Sequence, residues 1–571
     1  MPERDHLNLN LYWTTLFVRS LYEQGVREVI VSPGSRSTPL TLAFAAHPGF
    51  NKTIIIDERS AAFTALGIGK ASGKPACLVC TSGTALANYL PAVIEASQSH
   101  VPMMIASADR PPQLRNSGAN QTIDQIKIFG DYPVFFHEVG EPKDDDESTL
   151  KLERLANQAY NNSVRRRGVS HLNFSFSKPF EPTAAFLNSI EDENEKHARR
   201  SFPHYKEEIG NTSLDEKFWS DLISSEKPVI VVGPSPAGTF IQDTVAELAK
   251  TLNAPVLAEP GSNVPSSKYT ISGFDGFLRN DQVSESLAPD LILRFGEEPV
   301  SKALQNYIKT NADQLQIRFL RDGEVGDETQ TVNKTIFLNS MLSIPEVSGS
   351  ASKEWTRDWR KHQKEFAEFR EDQLHPSTPL TDGYIFHTLS PLMPKKSFTF
   401  LSNSFPVRDL SLFGEFDGRE IYVNRGTAGI DGITSTAFGV SMALKKPGFL
   451  FTGDIAFLHD SNALLNAKLI EEPFFVILLN NGGGTIFRML PIKEYKKKYF
   501  DYFETPQNVS VSALCRAHKI DHYLISRPEQ LITVFEQNLD KPGVHVLECM
   551  TDADDSMDQR STLWNYVSPS S

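Results

Sequence analysis

The sequence predicts an α/β protein of three doubly wound domains with mainly parallel sheets, and three observations lead there. Apolar runs at 29–31, 75–81, 101–107, 228–233, 398–401 and 474–479 are largely unbroken, as in strands covered on both faces. Segments with apolar residues at helical spacing separate them, which is the alternation of strand–helix–strand crossovers. Two polar, charged stretches, 186–213 and 347–374, read as linkers and divide the chain into 1–185, 214–346 and 375–571.

The chain has 571 residues with 40% hydrophobic content, enough for several buried cores. Its net charge of −14 argues against nucleic-acid and anionic-membrane partners, so anionic ligands must be met by local cations. The 4 cysteines make no disulfide framework. Cys77 and Cys80 form a C-x-x-C, but inside the apolar run ACLVC, where positions three apart point to opposite faces of a strand. MPERDHLNLN has no basic-then-apolar leader pattern, and no run approaches the roughly 18 apolar residues of a membrane span, so a cytoplasmic protein is expected.

In chain order, a helix over 10–24 with Gly25 as its C-cap opens the first domain. The strand at 29–31 runs into Ser32-Pro33-Gly34-Ser35-Arg36, a turn expected to leave Ser35 and Arg36 free to bind. The strand 53–57 delivers Glu58 to a ligand edge, at the start of a helix rich in Ala and Gly. Glu58 is equally a sensible N-terminal carboxylate beside the helix dipole. Gly67 and Gly69 lie inside that helix, which suits close helix packing better than a dinucleotide loop. Strand 75–81 ends at Ser82-Gly83-Thr84, and strand 101–107 leads to Arg110 and the loop of Asn120 and Gln121. The charge runs at 144–147 and 165–167 read as solvated faces, and 171–176 as the last strand.

The second domain has strands at 228–233, 255–258 and 291–295, and offers Lys302 as its one candidate contact. In the third, 398–401 leads to Ser404 and Arg408, and 421–423 leads to Arg425 and then Ile430. The strand 449–452 ends at Gly453, Asp454 and Ile455, a helix capped by Asp460 or Ser461 follows, and the strand 474–479 ends at Asn480 and Asn481. Asp454 and Asn481 are 27 residues apart (481 − 454), about one crossover, so both tips reach one sheet edge. A carboxylate, an amide oxygen and a loop carbonyl suit a hard cation such as magnesium and leave room for a diphosphate. Gly482, Gly483 and Gly484 let backbone come close to it. An ordinary crossover with polar strand ends fits the spacing as well.

Gly-Asp, this interval and then Asn-Asn resembles the thiamine diphosphate signature. The strings SPGSRSTPL, IDERSAAF, TSGTALAN, ADRPP, GANQTI, NRGTAGIDG and GDIAFLHD are more specific. They resemble the 2-succinyl-5-enolpyruvyl-6-hydroxy-3-cyclohexene-1-carboxylate synthases of menaquinone biosynthesis, from about residue 10 to the C-terminus and most weakly in the middle third. The resemblance implies the thiamine diphosphate-binding fold, with the pyrimidine on 1–185 and the diphosphate on 375–571. It implies Mg2+ or Mn2+ on Asp454, Asn481 and the carbonyl of Gly483. Glu58 would bond the pyrimidine, Ile430 would support the bent cofactor, and Ser82, Gly83, Ser404, Gly453, Ile455, Gly484 and Ile486 would surround it.

The implied reaction is decarboxylation of 2-oxoglutarate, then 1,4-addition of the succinyl carbanion to isochorismate. Arginine suits these carboxylates because its planar fork makes two parallel hydrogen bonds. Arg36, Arg110, Arg408 and Arg425 match family positions, with Lys302 beside them. Ser35, Asn120, Gln121 and Ser404 would orient the second substrate, and Ile486, Phe487 and Leu490 would form an apolar wall. Gly482 and Thr485 depart from the family pattern and leave the loop shape open. The family places Glu58 and Asp454 on different subunits, which implies a homodimer or homotetramer with sites at the interface. Another thiamine diphosphate-dependent decarboxylase or carboligase stays open. The chain lacks the His-His and His-Glu contexts expected of those rivals; a catalytically silent homologue also stays open, although intact Glu58, Asp454 and Asn481 argue against it.

Overall fold

The computed structural model describes residues 7–200, 210–321, 324, 326–374, 380–415 and 419–569. Residues 201–209 of the first expected linker and 375–379 at the start of the third expected domain therefore lie outside the described residues. The first sheet contains β1 (Glu28–Val31), β2 (Asn51–Ile54), β3 (Cys77–Cys80), β4 (Met103–Asp109), β5 (Phe135–Gly140) and β6 (Val169–Ser175). Its order is β2-β1-β3-β4-β6-β5.

The second sheet holds β7 (Pro228–Val232), β8 (Val256–Ala258), β9 (Thr270–Ile271), β10 (Leu291–Phe295), β11 (Leu315–Leu320) and β12 (Lys334–Phe337). Its order, β12-β11-β10-β7-β8-β9, is that of a dinucleotide-type sheet, with the reversal between β7 and β10. The third holds β13 (Phe398–Leu401), β14 (Glu420–Val423), β15 (Gly448–Gly453), β16 (Pro473–Asn480), β17 (Asp521–Ile525) and β18 (Gly543–Met550). Its order, β14-β13-β15-β16-β18-β17, repeats that of the first sheet rank for rank. The pairings between neighbouring strands are parallel in all three sheets.

The unbroken apolar runs became interior strands because helices cover both faces: β3, β4, β7, β10, β13 and β15 are buried almost throughout. Cys77 and Val79 face one core of the first sheet and Leu78 and Cys80 the other, so the C-x-x-C is split across the sheet. Burial pushes the Cys77 thiol up to about 12 and raises Cys80 as well. The expected strand at 53–57 is displaced, since β2 ends at Ile54.

Two linker readings need correction. The stretch 347–374 is largely one helix, Lys353–Gln373, and its Trp355, Trp359 and Phe366 are buried at helical spacing. Most of the described part of 186–213 continues the helix Ala184–Ala198, whose Phe186 and Ile190 join the first core. High average polarity hid one apolar stripe in each. The three sheets fall into two compact units, the second of which holds both the second and the third sheet. One comprises Met1–Glu207 with Asn424–Leu444 and Asp460–Leu469, and the other Glu208–Val423 with Lys445–His459 and Ile470–Ser571.

In the first unit, the helix Glu58–Ser72 packs on the helix Ile433–Leu444. A Cβ on Gly67 would stand 2.0 Å from the Thr436 carbonyl oxygen, and one on Gly439 2.1 Å from that of Thr64. These glycines permit backbone contact, which is what Gly67 does in place of a phosphate loop. The carboxylate of Glu95, itself 2% exposed, accepts from the N–H groups of Gly426 (3.0 Å) and Thr427 (2.7 Å) and from the Thr427 hydroxyl (2.9 Å). That bond set fixes the loop after β14.

Candidate active site

In the second unit the strand order reverses between β13 and β15, the position where an open α/β sheet opens a ligand crevice. Asp454 follows β15 directly, Asn481 follows β16, and Gly453 pairs with Leu479 across the ladder, so both side chains reach the same edge. Asp454 is 6% exposed and accepts from the Ile455 N–H at 2.9 Å. Burial pushes its carboxyl up to about 6 against the pull of backbone N–H groups, including that of Gly483, and nearby Asp382 adds to the rise. A buried acid of this kind gains from a cation.

Asn481 donates its Nδ2 to Asp382 at 3.2 Å, so its amide oxygen faces away from that acid. Gly483 has φ 142°, and a Cβ there would come within 2.4 Å of the Glu504 carbonyl oxygen. The Gly484 N–H donates to that oxygen at 2.7 Å, and Arg488 holds the Glu504 side chain at 2.7 Å. Among the described residues no cluster of three His, Cys, Asp or Glu side chains suits a metal. Asp454 with amide and carbonyl oxygens could instead offer the mixed oxygen set that a hard cation such as magnesium or manganese takes beside a diphosphate. Gly482 is exposed with φ 81°, while Thr485 is buried and opens the short helix Thr485–Met489, which carries Ile486 and Phe487. Leu490, next in the chain, is 48% exposed.

The lining of a cleft in the same unit includes Lys302, Arg408 and Arg279 together with Glu259, Asp275 and Asp409. Lys302 is the first residue of the helix Lys302–Thr310, and its Nζ donates to Gln305 at 2.7 Å. Arg408 lies on the helix Pro406–Phe413 and donates to the Ser404 carbonyl, while Ser404 has φ 74°, a strained value for a residue with a side chain. Arg279 has no sequence signal and was missed. The helix expected after Asp454 is two pieces, Asp454–His459 and the tighter Ser461–Leu469. Asp460 does not cap it: fully buried, Asp460 accepts from the Ser435 N–H at 2.7 Å and hydroxyl at 3.1 Å.

In the first unit, Glu58 is the first residue of its helix and half-buried, with Asp57 as N-cap. Fully buried Tyr89 and Cys80 both feel its charge. Ser82 donates to the Gln121 carbonyl at 3.0 Å and Gln121 returns a bond to the Ser82 carbonyl at 3.1 Å. Gln125, missed in the sequence, accepts from the Gly83 N–H at 2.9 Å. Arg110 donates to the Asn120 carbonyl at 2.6 Å.

Arg36 departs from expectation. It is 6% exposed, donates to the Phe176 carbonyl at 2.6 Å and lies 4.4 Å from the Phe180 ring centre, so of the two residues expected to bind at that turn Ser35 alone is exposed. The Nε atoms of Arg36 and Arg110 are nevertheless buried without a partner, two donors able to serve an anion. Arg425 and Ile430 lie half-buried on the loop that Glu95 anchors.

Residues 13–128 match the family described as thiamine pyrophosphate enzyme, N-terminal TPP binding domain, and residues 414–549 the one described as thiamine pyrophosphate enzyme, C-terminal TPP binding domain. The chain is 36% identical to a 2-succinyl-5-enolpyruvyl-6-hydroxy-3-cyclohexene-1-carboxylate synthase of Microcystis aeruginosa, covering 99% of this chain and 100% of the relative. Proteins of the same name from Haloarcula marismortui and Oceanobacillus iheyensis are 35% and 32% identical, over 98% and 96% of both chains respectively. Such identity over nearly the full length, with the two cofactor domains in order along the chain, means that it belongs to the 2-succinyl-5-enolpyruvyl-6-hydroxy-3-cyclohexene-1-carboxylate synthase family of thiamine diphosphate-dependent enzymes.

Proposed function

We propose that this chain decarboxylates 2-oxoglutarate and adds the resulting succinyl unit in a 1,4 sense to isochorismate, in menaquinone biosynthesis. The observation that carries the reading is the edge where Asp454, Asn481 and Gly483 meet, in a chain that is 36% identical to a synthase of that name over 99% of its length. Asp454, the Asn481 amide oxygen and the Gly483 carbonyl would hold Mg2+ or Mn2+ against the diphosphate, and Gly453, Ile455 and Gly484 would shape its bed. Thiamine diphosphate, when bound, supplies the electron sink for the carbon that loses carbon dioxide.

The protein's part is to bind, orient and exclude water. Glu58 is the proposed catalytic acid, whose carboxyl would hydrogen-bond the pyrimidine of the cofactor, and Ser82, Gly83 and Ile430 would help to hold the cofactor. Arg110, Arg408, Arg425 and Lys302 take substrate carboxylates, as does Arg36 through its unpaired Nε. Ser35, Asn120, Gln121 and Ser404 orient isochorismate, while Ile486, Phe487 and Leu490 keep water from the reacting carbon. We assign the pyrimidine to 1–185 and the diphosphate to 375–571, with 214–346 as the middle segment of the sequence, in a symmetric dimer or dimer of dimers. No described helix is long and apolar enough to cross a membrane, and we place the reaction in the cytoplasm.

The test is carbon dioxide release from 2-oxoglutarate with Mg2+ and thiamine diphosphate, with and without isochorismate, for the parent and Glu58→Gln. Stimulation by isochorismate, formation of the succinyl adduct and loss of both in the variant are expected, the loss being at least about 100-fold. Turnover indifferent to isochorismate would make the chain a simple decarboxylase, and the absence of cofactor-dependent turnover would leave a binding protein.

A further inference from the structure

A primary amide has two ends, and only its oxygen can ligate a cation. Nothing within Asn481 itself chooses which end faces Asp454. Asp382 makes that choice: Thr551 and Arg560 donate to its two oxygens, which act as acceptors, and the NH2 of Asn481 turns toward it as a third donor. Asp382 is fully buried and firmly held: Thr551 donates to its Oδ1 at 2.7 Å, Arg560 donates to its Oδ2 at 2.7 Å, and its own N–H donates to Ser556 at 3.1 Å. Arg560 is 1% exposed, stacks 3.7 Å from the Phe405 ring centre, and sends its Nε to Asp409 at 2.8 Å. Asp409 is the neighbour of Arg408 on the helix Pro406–Phe413.

We propose that Asp382 is a positioning residue that fixes the Asn481 amide with its oxygen toward the cation, and that Arg560, shared between Asp382 and Asp409, ties this orientation to the helix carrying Arg408. The inference rests on the metal role given to Asn481 above and adds the device that keeps it in the ligating orientation. Asp382→Asn tests it most directly: an amide at 382 can donate as well as accept, so Asn481 becomes free to turn its NH2 toward Asp454.

The measurement is the Mg2+ affinity of the full-length protein at saturating thiamine diphosphate, read by calorimetry and by the near-ultraviolet dichroism of the bound cofactor. Asp382→Asn should weaken Mg2+ by about tenfold or more, the usual cost of losing a partner behind a metal ligand. The Asp409→Asn variant keeps the bond between Asp382 and Asn481 and should hold Mg2+ within about twofold of the parent. Its KM for 2-oxoglutarate should rise more than its kcat falls. Thr551→Val removes one bond to Asp382 without changing charge, so it reads the same effect in a smaller form should Asp382→Asn fail to fold.

A folded Asp382→Asn with Mg2+ affinity like the parent's, or a Thr551→Val with lowered melting temperature and unchanged Mg2+ affinity, overturns the positioning role. A parent that shows no Mg2+-dependent binding of thiamine diphosphate overturns the metal role of Asn481 itself, and this inference with it.

Discussion

Asp460 shows how little of a residue's work is written in its local sequence. The spacing after Asp454 cast it as a helix cap, yet it is buried against Ser435, with Arg59 and Asp57 as its charged neighbours. Burial pushes its carboxyl up to about 7. Because the native state then holds the proton more tightly than the unfolded chain, this residue lowers stability as pH rises from about 4 to about 7. Asp460→Asn carries no charge and can keep both contacts with Ser435, its oxygen accepting from the N–H and its NH2 donating to the hydroxyl. Urea unfolding at pH 8 should find it more stable than the parent, with the advantage shrinking by about 2 kcal/mol at pH 5. Asp454 and Asn481 were legible because strand, glycine and polar tip follow one another in the chain. Asp382, Arg560 and Glu95 were not, since each acts on a partner between 99 and 332 residues away.

At the scale of elements, the interior strands were legible because a strand covered on both faces must be apolar at every position. The edges were not: β5 reads FFHEVG with every residue half-exposed, and β17 reads DHYLI with one residue fully buried. The contact between the helices Glu58–Ser72 and Ile433–Leu444 was half legible, since Gly67 announced close packing but not against what, while Gly69 faces the Pro102 carbonyl oxygen instead. Gly67→Ala would push a methyl to 2.0 Å from a backbone oxygen that cannot yield as a side chain can. It should cost at least about 1–3 kcal/mol of stability, seen as a lower urea midpoint with an unchanged slope. An unchanged midpoint would mean that the two helices separate without cost.

For the whole molecule, the sequence supplied three parallel sheets but not the division of the chain, because the segments after β14 and after the Asp454 helix pack with residues far earlier in the chain. Ligand linkage is the test at this scale. The complex of Mg2+ with thiamine diphosphate, counted as one ligand at about a hundred times its dissociation constant, should stabilise the fold by about 3 kcal/mol, and EDTA should remove that increment. Asp454→Ala should lose the increment altogether while the unliganded protein melts no lower than the parent, since an acid that is costly to bury has gone. Melting curves with and without EDTA decide both.

The four cysteines are all free and buried, and their places make them useful as probes. Cys77 and Cys80 sit in opposite cores of one sheet, Cys549 in the core of another, and burial raises the pKa of each of these thiols. An alkylating reagent therefore meets a reactive thiolate only when the surrounding layer opens. Mass spectrometry of peptides alkylated over time would then date the opening of each layer separately, without a single introduced label.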